Sequence, residues 1–99
     1  AFARLAAEYP QWDLVLAGDG EDEAALKKLV AAFRLHDRIV FKGAVRDVAS
    51  LYKSAHLFCL PSRWEGFPNA LAEALAHGLP AAGYAGCDGV SDLITPDVN

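Results

Sequence analysis

Two glutamates, Glu65 and Glu73, flank the run Gly66-Phe67-Pro68-Asn69-Ala70-Leu71-Ala72. That run leaves a loop, Pro61-Ser62-Arg63-Trp64, and enters a helix-forming stretch. The first amides of a helix have no acceptor inside it, so those around Asn69 to Leu71 suit phosphate or sugar oxygens. Gly66 lets the backbone approach a ligand closely. The stretch Asn69-Ala70-Leu71-Ala72-Glu73-Ala74-Leu75-Ala76 is nearly apolar all round, the mark of a buried helix. A carboxylate there, Glu73, costs free energy unless something donates hydrogen bonds to it, and ribose hydroxyls can. A plainer reading stands beside this one. Asn69, Glu73 and His77 recur every fourth residue and can form a narrow polar stripe in water. The pattern alone leaves both readings open.

Gly18-Asp19-Gly20 also follows an apolar stretch and opens a helix, as a phosphate loop does. Glu21, Asp22 and Glu23 come next and crowd negative charge where an anion would sit. Those acids instead complement the positive end of the helix dipole. No third glycine completes a dinucleotide fingerprint. Cys59 and Cys87 lack metal-ligand spacing and need no disulfide, and Cys59, inside His56-Leu57-Phe58-Cys59-Leu60, reads as a small core residue.

The elements that position these residues alternate. Helical patterns are expected over 2–9, 21–35, 48–55 and 68–77, with a last helical turn over 90–94. Strands are expected over 12–17, 38–43, 56–60 and 80–84. In the helix over 21–35 the apolar positions are Ala25, Leu26, Leu29, Val30 and Phe33. Asp47 is placed to cap the helix over 48–55. Pro68 opens the helix over 68–77 and Gly78 follows its end, the usual asymmetry of start and stop. The strands are apolar runs without period-2 alternation, which points to an α/β chain with a Rossmann-like parallel sheet of about four strands and helices on both faces. Ligands of such sheets bind outside the carboxyl ends of the strands. The loops that matter are therefore 18–20, 43–46, 61–69 and 85–89.

Bulk properties narrow the function classes. The 99 residues amount to one domain at most, with 54% hydrophobic and 22% charged residues, as in a soluble globular chain. The formal charge of −4 comes with no basic run, which argues against a nucleic-acid partner. No apolar run is long enough to cross a bilayer, and nothing at the start of these residues has the pattern of a signal peptide. A reducing cytoplasm fits best, with any attachment to the inner face of a membrane made by parts of the protein outside these residues. The chain begins directly in a helical pattern and stops at a turn-like Thr95-Pro96-Asp97-Val98-Asn99, so it reads as a piece of a longer protein.

Glu65-Gly66-Phe67-Pro68-Asn69-Ala70-Leu71-Ala72-Glu73-Ala74, followed by Gly78-Leu79-Pro80, resembles the central signature of family 4 glycosyltransferases, retaining enzymes of the GT-B fold. The likeness extends through Tyr9-Pro10-Gln11-Trp12, Gly18-Asp19-Gly20 and Arg38-Ile39-Val40-Phe41-Lys42-Gly43 to Gly89-Val90-Ser91-Asp92-Leu93-Ile94, nearly the whole chain. It implies that residues 1–99 are part of a C-terminal domain that binds a sugar-nucleotide donor. The acceptor domain and the first strand would lie outside them. Glu65 would touch hydroxyls of the transferred sugar and serve as the catalytic position, orienting the sugar rather than attacking it. Glu73 would bind ribose hydroxyls. Gly66, Phe67, Pro68, Asn69, Ala70 and Leu71 would face the sugar and diphosphate, largely through backbone amides. Ala44 and Val45 would lie beside the base, although Val45 also reads as a simple strand-end residue and Arg46 as a solvated charge.

Related enzymes work without a metal, no Asp-x-Asp pair is present to hold one, and no cofactor is expected. They bring an Arg and a Lys to the diphosphate from a segment that would precede residue 1. Asp92 stands where a Glu is common, beside one glycine of a frequent pair, and reads as structural. The implied activity is transfer of a hexosyl or N-acetylhexosaminyl group from a sugar nucleotide, a uridine one among the candidates, to a saccharide or lipid-linked acceptor in polysaccharide or glycolipid assembly. Residues 1–99 alone are expected to transfer no sugar, because positioning donor against acceptor supplies much of the rate. The alternative is a non-catalytic nucleotide-sugar-binding module of the same fold. A phosphoacceptor signalling domain would need acids at strand ends where Leu60-Pro61-Ser62 has none, and a sugar-nucleotide epimerase is the remaining candidate. The strand preceding residue 1 would separate those over 12–17 and 56–60, so these two are expected to pair directly or to leave open edges.

Overall fold

The computed structural model describes residues 1–63 and 66–94. The chain divides into two compact units, Ala1–Arg46 and Asp47–Asn99, each with its own pair of parallel strands.

The first unit runs α1 (Phe2–Ala6), β1 (Leu14–Ala17), α2 (Glu23–Ala32), β2 (Ile39–Gly43). Its ladder aligns Leu14 with Ile39, Val15 with Val40 and Leu16 with Phe41, then slips so that Ala17 meets Gly43. Just past the slip, Gly18 donates its N–H to the Gly43 carbonyl at 2.6 Å. Both glycines hold positive φ, 109° and 65°, a region that side chains with a Cβ enter only at a cost. The loops after β1 and β2 therefore start side by side at the carboxyl end of the ladder.

One side chain ties the start of the first unit together. The Arg38 guanidinium donates to the carbonyls of Ala6 (2.9 Å), Tyr9 (2.9 Å) and Trp12 (3.1 Å) and to the Asp13 carboxylate (3.1 Å). It thereby meets a carbonyl that the C-terminus of α1 leaves without a helical partner. The acids before α2 lie as expected for dipole complementation, with Asp22 at the N-cap and Glu23 in the first turn. At its other end, α2 closes with Leu35 N–H on the Val30 carbonyl (2.9 Å) and Arg34 N–H on Ala31 (3.2 Å). This pair of hydrogen bonds to the last turn puts Arg34 at φ 56°, a left-handed position usually given to glycine. Of the expected apolar stripe only Val30 is buried, whereas Leu29 and Phe33 are 53% and 59% exposed. The periodicity marks the face this helix could bury, and that face is largely uncovered among the described residues.

The second unit runs α3 (Val48–Ser54), β3 (Phe58–Leu60), α4 (Asn69–Ala76), β4 (Ala81–Gly83), α5 (Asp88–Ser91). β3 and β4 pair in parallel, Phe58 with Ala81, Cys59 with Ala82 and Leu60 with Gly83. Asp47 caps α3 as expected, accepting from the Ser50 N–H (3.2 Å) and hydroxyl (2.6 Å), bonds that lower its pKa. α4 ends in the same bonding pattern as α2, with Leu79 N–H on Ala74 (3.1 Å) and Gly78 N–H on Leu75 (2.9 Å). Here the left-handed residue is a glycine, Gly78 at φ 78°. Leu79 then packs with Ala74 and Tyr52 in one core cluster, while Leu71, Cys87 and Val90 form a second. Phe58 touches both clusters and joins them. At Gly83 the core leaves no room for a side chain, since a Cβ there would lie 2.6 Å from Val90 Cγ1.

The parallel α/β class is as the sequence implies, and three details differ. The strands form two separate two-stranded ladders, with no pairing of β1 to β3 among the described residues. Each strand keeps the neighbour that its own β-α-β connection delivers, and β1 and β3 each have one hydrogen-bonded strand neighbour there. Along β1, β2 and β3 burial alternates residue by residue, so both faces are apolar and one is more accessible. Cys59 lies on that accessible face and is exposed, contrary to its reading as core, whereas Cys87 is buried; both thiols are free.

Candidate functional site

The chain leaves β3 at Leu60 and re-enters regular structure at Asn69, beyond the carboxyl end of the strand. Glu65, the expected sugar contact, lies with Trp64 outside the described residues. Gly66 is exposed, and Phe67 presents its ring to solvent at 66% exposure. Pro68, though buried, occupies the N-cap position and offers no side-chain acceptor there. The first helical bond is from the Ala72 N–H to the Pro68 carbonyl, at 3.1 Å. The amides of Asn69, Ala70 and Leu71 precede it and are the ones an α-helix leaves without internal acceptors. Asn69 and Ala70 are exposed, whereas the Leu71 side chain is wholly buried in the core. Leu71 can therefore meet a ligand through its amide alone.

Glu73 sits one turn further along α4, and it is exposed. This corrects the expectation of a carboxylate sunk in a buried helix. Four alanines make α4 look apolar all round, yet only Leu71 and Ala74 are fully covered. Asn69, Glu73 and His77 do form an exposed stripe, as the plainer reading has it. Glu73 is nonetheless partnered. Its Oε2 accepts from the Tyr52 hydroxyl at 3.3 Å, and that hydroxyl lies equally far from the Ala70 carbonyl. The Glu73 backbone carbonyl lies 2.8 Å from His77 Nδ1, so that nitrogen carries the proton and donates. The ring of His77 in turn packs against Tyr52, centroids 5.2 Å apart. Burial first, then the charge of Glu73 beside it and the hydrogen bond between them, push the Tyr52 phenol above its ordinary pKa.

Ala44 and Val45 belong to the first unit. They follow Gly43 directly, at the carboxyl end of β2, with Ala44 exposed, Val45 half-buried and Arg46 exposed. Asp92 closes α5 through its N–H to the Asp88 carbonyl at 3.0 Å. Among the described residues no three His, Cys, Asp or Glu side chains gather as a metal-ligand set. No described helix is long and apolar enough to cross a membrane.

A family model for glycosyl transferases group 1 matches residues 1–99. The chain belongs to that family. An uncharacterized glycosyltransferase of Haemophilus influenzae is 40% identical over 90 residues, an alignment that takes in 91% of this chain and 26% of the relative. The Vi polysaccharide biosynthesis protein VipC/TviE of Salmonella typhi is 39% identical over 102 residues, which take in 96% of this chain and 18% of that one. The chain thus spans about a quarter of the first of these curated relatives and less than a fifth of the second. Among solved structures, the pneumococcal O-GlcNAc transferase GtfA in complex with UDP and GlcNAc superposes with a TM-score of 0.92 at 26% identity, covering 98% of this chain and 19% of that one. The lipopolysaccharide outer core galactosyltransferase WaaB superposes with a TM-score of 0.77 at 26% identity, over 86% of this chain and 25% of that one. Both are GT-B glycosyltransferases, so the GT-B assignment made from the Glu65-to-Pro80 signature stands.

For a group 1 glycosyl transferase, two residues of this chain carry more than the sequence reading gave them. Tyr52 lies inside the helix expected over 48–55, and its partner Glu73 lies 21 positions away. Arg38 opens the strand expected over 38–43, and its acceptors lie 25 to 32 positions back. A lone aromatic inside a short helix, and a lone arginine at the start of a strand, were the available signals.

Proposed function

We propose that the full-length protein is a retaining glycosyltransferase. Its donor is a sugar nucleotide, a UDP-sugar first among them, and it moves a hexosyl or N-acetylhexosaminyl group to a saccharide or lipid-linked acceptor. The observation that carries this reading is the arrangement on α4. An exposed carboxylate, Glu73, stands about 3–6 Å along the axis beyond the first-turn amides of Asn69 to Leu71, which an α-helix leaves without internal acceptors. In this reading Glu73 binds the ribose, the amides receive the diphosphate, and Glu65 orients the transferred sugar. Breaking the anomeric bond leaves negative charge on the diphosphate, and preorganised donors at a helix N-terminus stabilise it. We propose accordingly that transfer needs no bound metal ion or cofactor. Family membership and the likeness to a transferase solved with UDP and GlcNAc support the donor class. Likeness to a polysaccharide biosynthesis protein supports the acceptor class. The work is done at the cytoplasmic side, with membrane attachment left to the remainder of the protein.

The test is a donor screen on the full-length protein with saccharide and glycolipid acceptors. A product whose anomeric configuration matches the donor, formed equally well with excess chelator, is expected. Inverted configuration, or activity abolished by chelator and restored by a divalent ion, contradicts the reading. Binding of sugar nucleotides with no transfer to any acceptor, and no hydrolysis, marks a non-catalytic module instead.

A further inference from the structure

Glu73 is an exposed glutamate with three rotatable side-chain bonds, and holding such a side chain still for a ligand costs conformational entropy. Tyr52 offers a fixed post for it. The tyrosine is only 8% exposed, in a cluster with Ala74, Leu79, Ala55 and Phe58. Its ring stands edge-on to Phe58, centroids 6.1 Å apart and planes at 71°, and lies tilted against His77. With the ring wedged, the hydroxyl has one place to be. There it lies 3.3 Å from both Glu73 Oε2 and the Ala70 carbonyl, two acceptors one turn apart on α4 that share a single proton. A phenol keeps that proton at neutral pH, and burial together with the neighbouring carboxylate raises its pKa further.

We propose that Tyr52 is a positioning residue for Glu73: its hydroxyl holds one carboxylate oxygen so that the other is presented to the ribose hydroxyls of a bound nucleotide. The inference rests on the reading that Glu73 binds ribose. It adds a residue that no part of the two-glutamate signature includes, one on a different helix. A ligand that meets a preset carboxylate loses less free energy to ordering it, so the tyrosine contributes to affinity without touching the nucleotide. His77 supports the arrangement from the side through its bond to the Glu73 carbonyl and its contact with the Tyr52 ring.

Tyr52→Phe keeps the ring and its packing and removes only the hydroxyl. In calorimetric titration of the full-length protein with UDP, the variant is expected to bind about three- to tenfold more weakly, the range for one hydrogen bond. With 2′,3′-dideoxy-UDP, wild type and variant are expected to bind alike, because no ribose hydroxyl remains for the oriented carboxylate. In a Glu73→Ala background the Tyr52 change is expected to add nothing. A variant that melts earlier yet binds UDP as wild type does overturns the proposal and leaves Tyr52 a packing residue. An equal loss for UDP and dideoxy-UDP overturns it too. If Glu73→Ala alone leaves UDP affinity unchanged, the ribose reading itself fails and the tyrosine's role goes with it. A crystal structure of the wild-type protein with UDP decides the matter even if the variant does not fold. One carboxylate oxygen on Tyr52 and the other on ribose is expected. A carboxylate turned away from Tyr52 contradicts the proposal.

Discussion

Helices α2 and α4 finish with the same pair of bonds and do opposite things with their apolar residues. α2 ends on Arg34 in a left-handed conformation and leaves Leu29 and Phe33 mostly exposed. α4 ends on Gly78, buries Leu71 and Ala74 completely, and carries Glu73 on its open side. The units around them differ in kind. In Ala1–Arg46 only Ala6 and Val30 are buried apolar residues, and much of the order comes from the ladder and the Arg38 bonds. In Asp47–Asn99 two core clusters meet at Phe58. The carboxylate that the proposed chemistry needs stands on the unit with the packed interior. Packing of that kind fixes a helix, and a fixed helix fixes the amides and the carboxylate on it.

Removing core from the second unit has the largest expected effect. Leu71→Ala deletes a wholly buried side chain and is expected to cost about 2–5 kcal/mol in denaturant unfolding of the full-length protein. A loss below about 1 kcal/mol would mean that the core around α4 is loosely packed and the comparison overdrawn. Next comes Arg38→Ala, which strips bonds from the carbonyls of Ala6, Tyr9 and Trp12 and is expected to cost about 1–3 kcal/mol. Arg38→Lys should recover little of it, because one ammonium cannot reproduce the planar fork. Hydrogen exchange of the amides in residues 1–17 is the readout, and full protection in Arg38→Lys contradicts the clamp. The smallest effect is the sharpest. A Cβ added at Gly78 meets nothing within 4 Å, so Gly78→Ala reports the left-handed backbone alone and should destabilise by about 1 kcal/mol. Arg34→Gly makes the reverse exchange and should stabilise by about 0.5–1 kcal/mol. Equal signs for the two changes would show that the two helix ends are not equivalent.

Much of this was legible in the chain. Asp47 as a cap, Gly78 as a stop, the order of the elements and the parallel α/β class all follow from local chemistry, and the structure has them. Legibility failed wherever the deciding partner is distant in sequence. Nothing near Arg38 announces that it will gather carbonyls from Ala6 to Trp12, and nothing near Tyr52 points to Glu73. Composition misled at α4, where alanines count as apolar yet fit an exposed surface as readily as a core. It misled at Cys59 for a related reason: an apolar run shows that a strand can be covered on both faces, and the alternating burial shows which face is. At the site the sequence supplied the residues, the amides of Asn69 to Leu71 and the carboxylate of Glu73, without their state. Glu73 is neither sunk in the helix nor simply solvated, because a buried tyrosine holds one of its oxygens.

The central claim is that α4 grips the nucleotide through Glu73 while Glu65 meets the transferred sugar. Calorimetric titration of full-length Glu73→Ala and Glu65→Ala, each with the free nucleoside diphosphate and with the intact donor, tests it most directly. Losing a hydrogen bond to a charged group costs about 1.5–3 kcal/mol, roughly ten- to more than a hundredfold in affinity. Glu73→Ala is expected to weaken both ligands by that factor, and Glu65→Ala to weaken the donor while leaving the diphosphate nearly unchanged. Unchanged affinities in Glu73→Ala would reduce the stripe on α4 to a solvated surface, and equal losses from Glu65→Ala for both ligands would mean that the nucleotide lies the other way round.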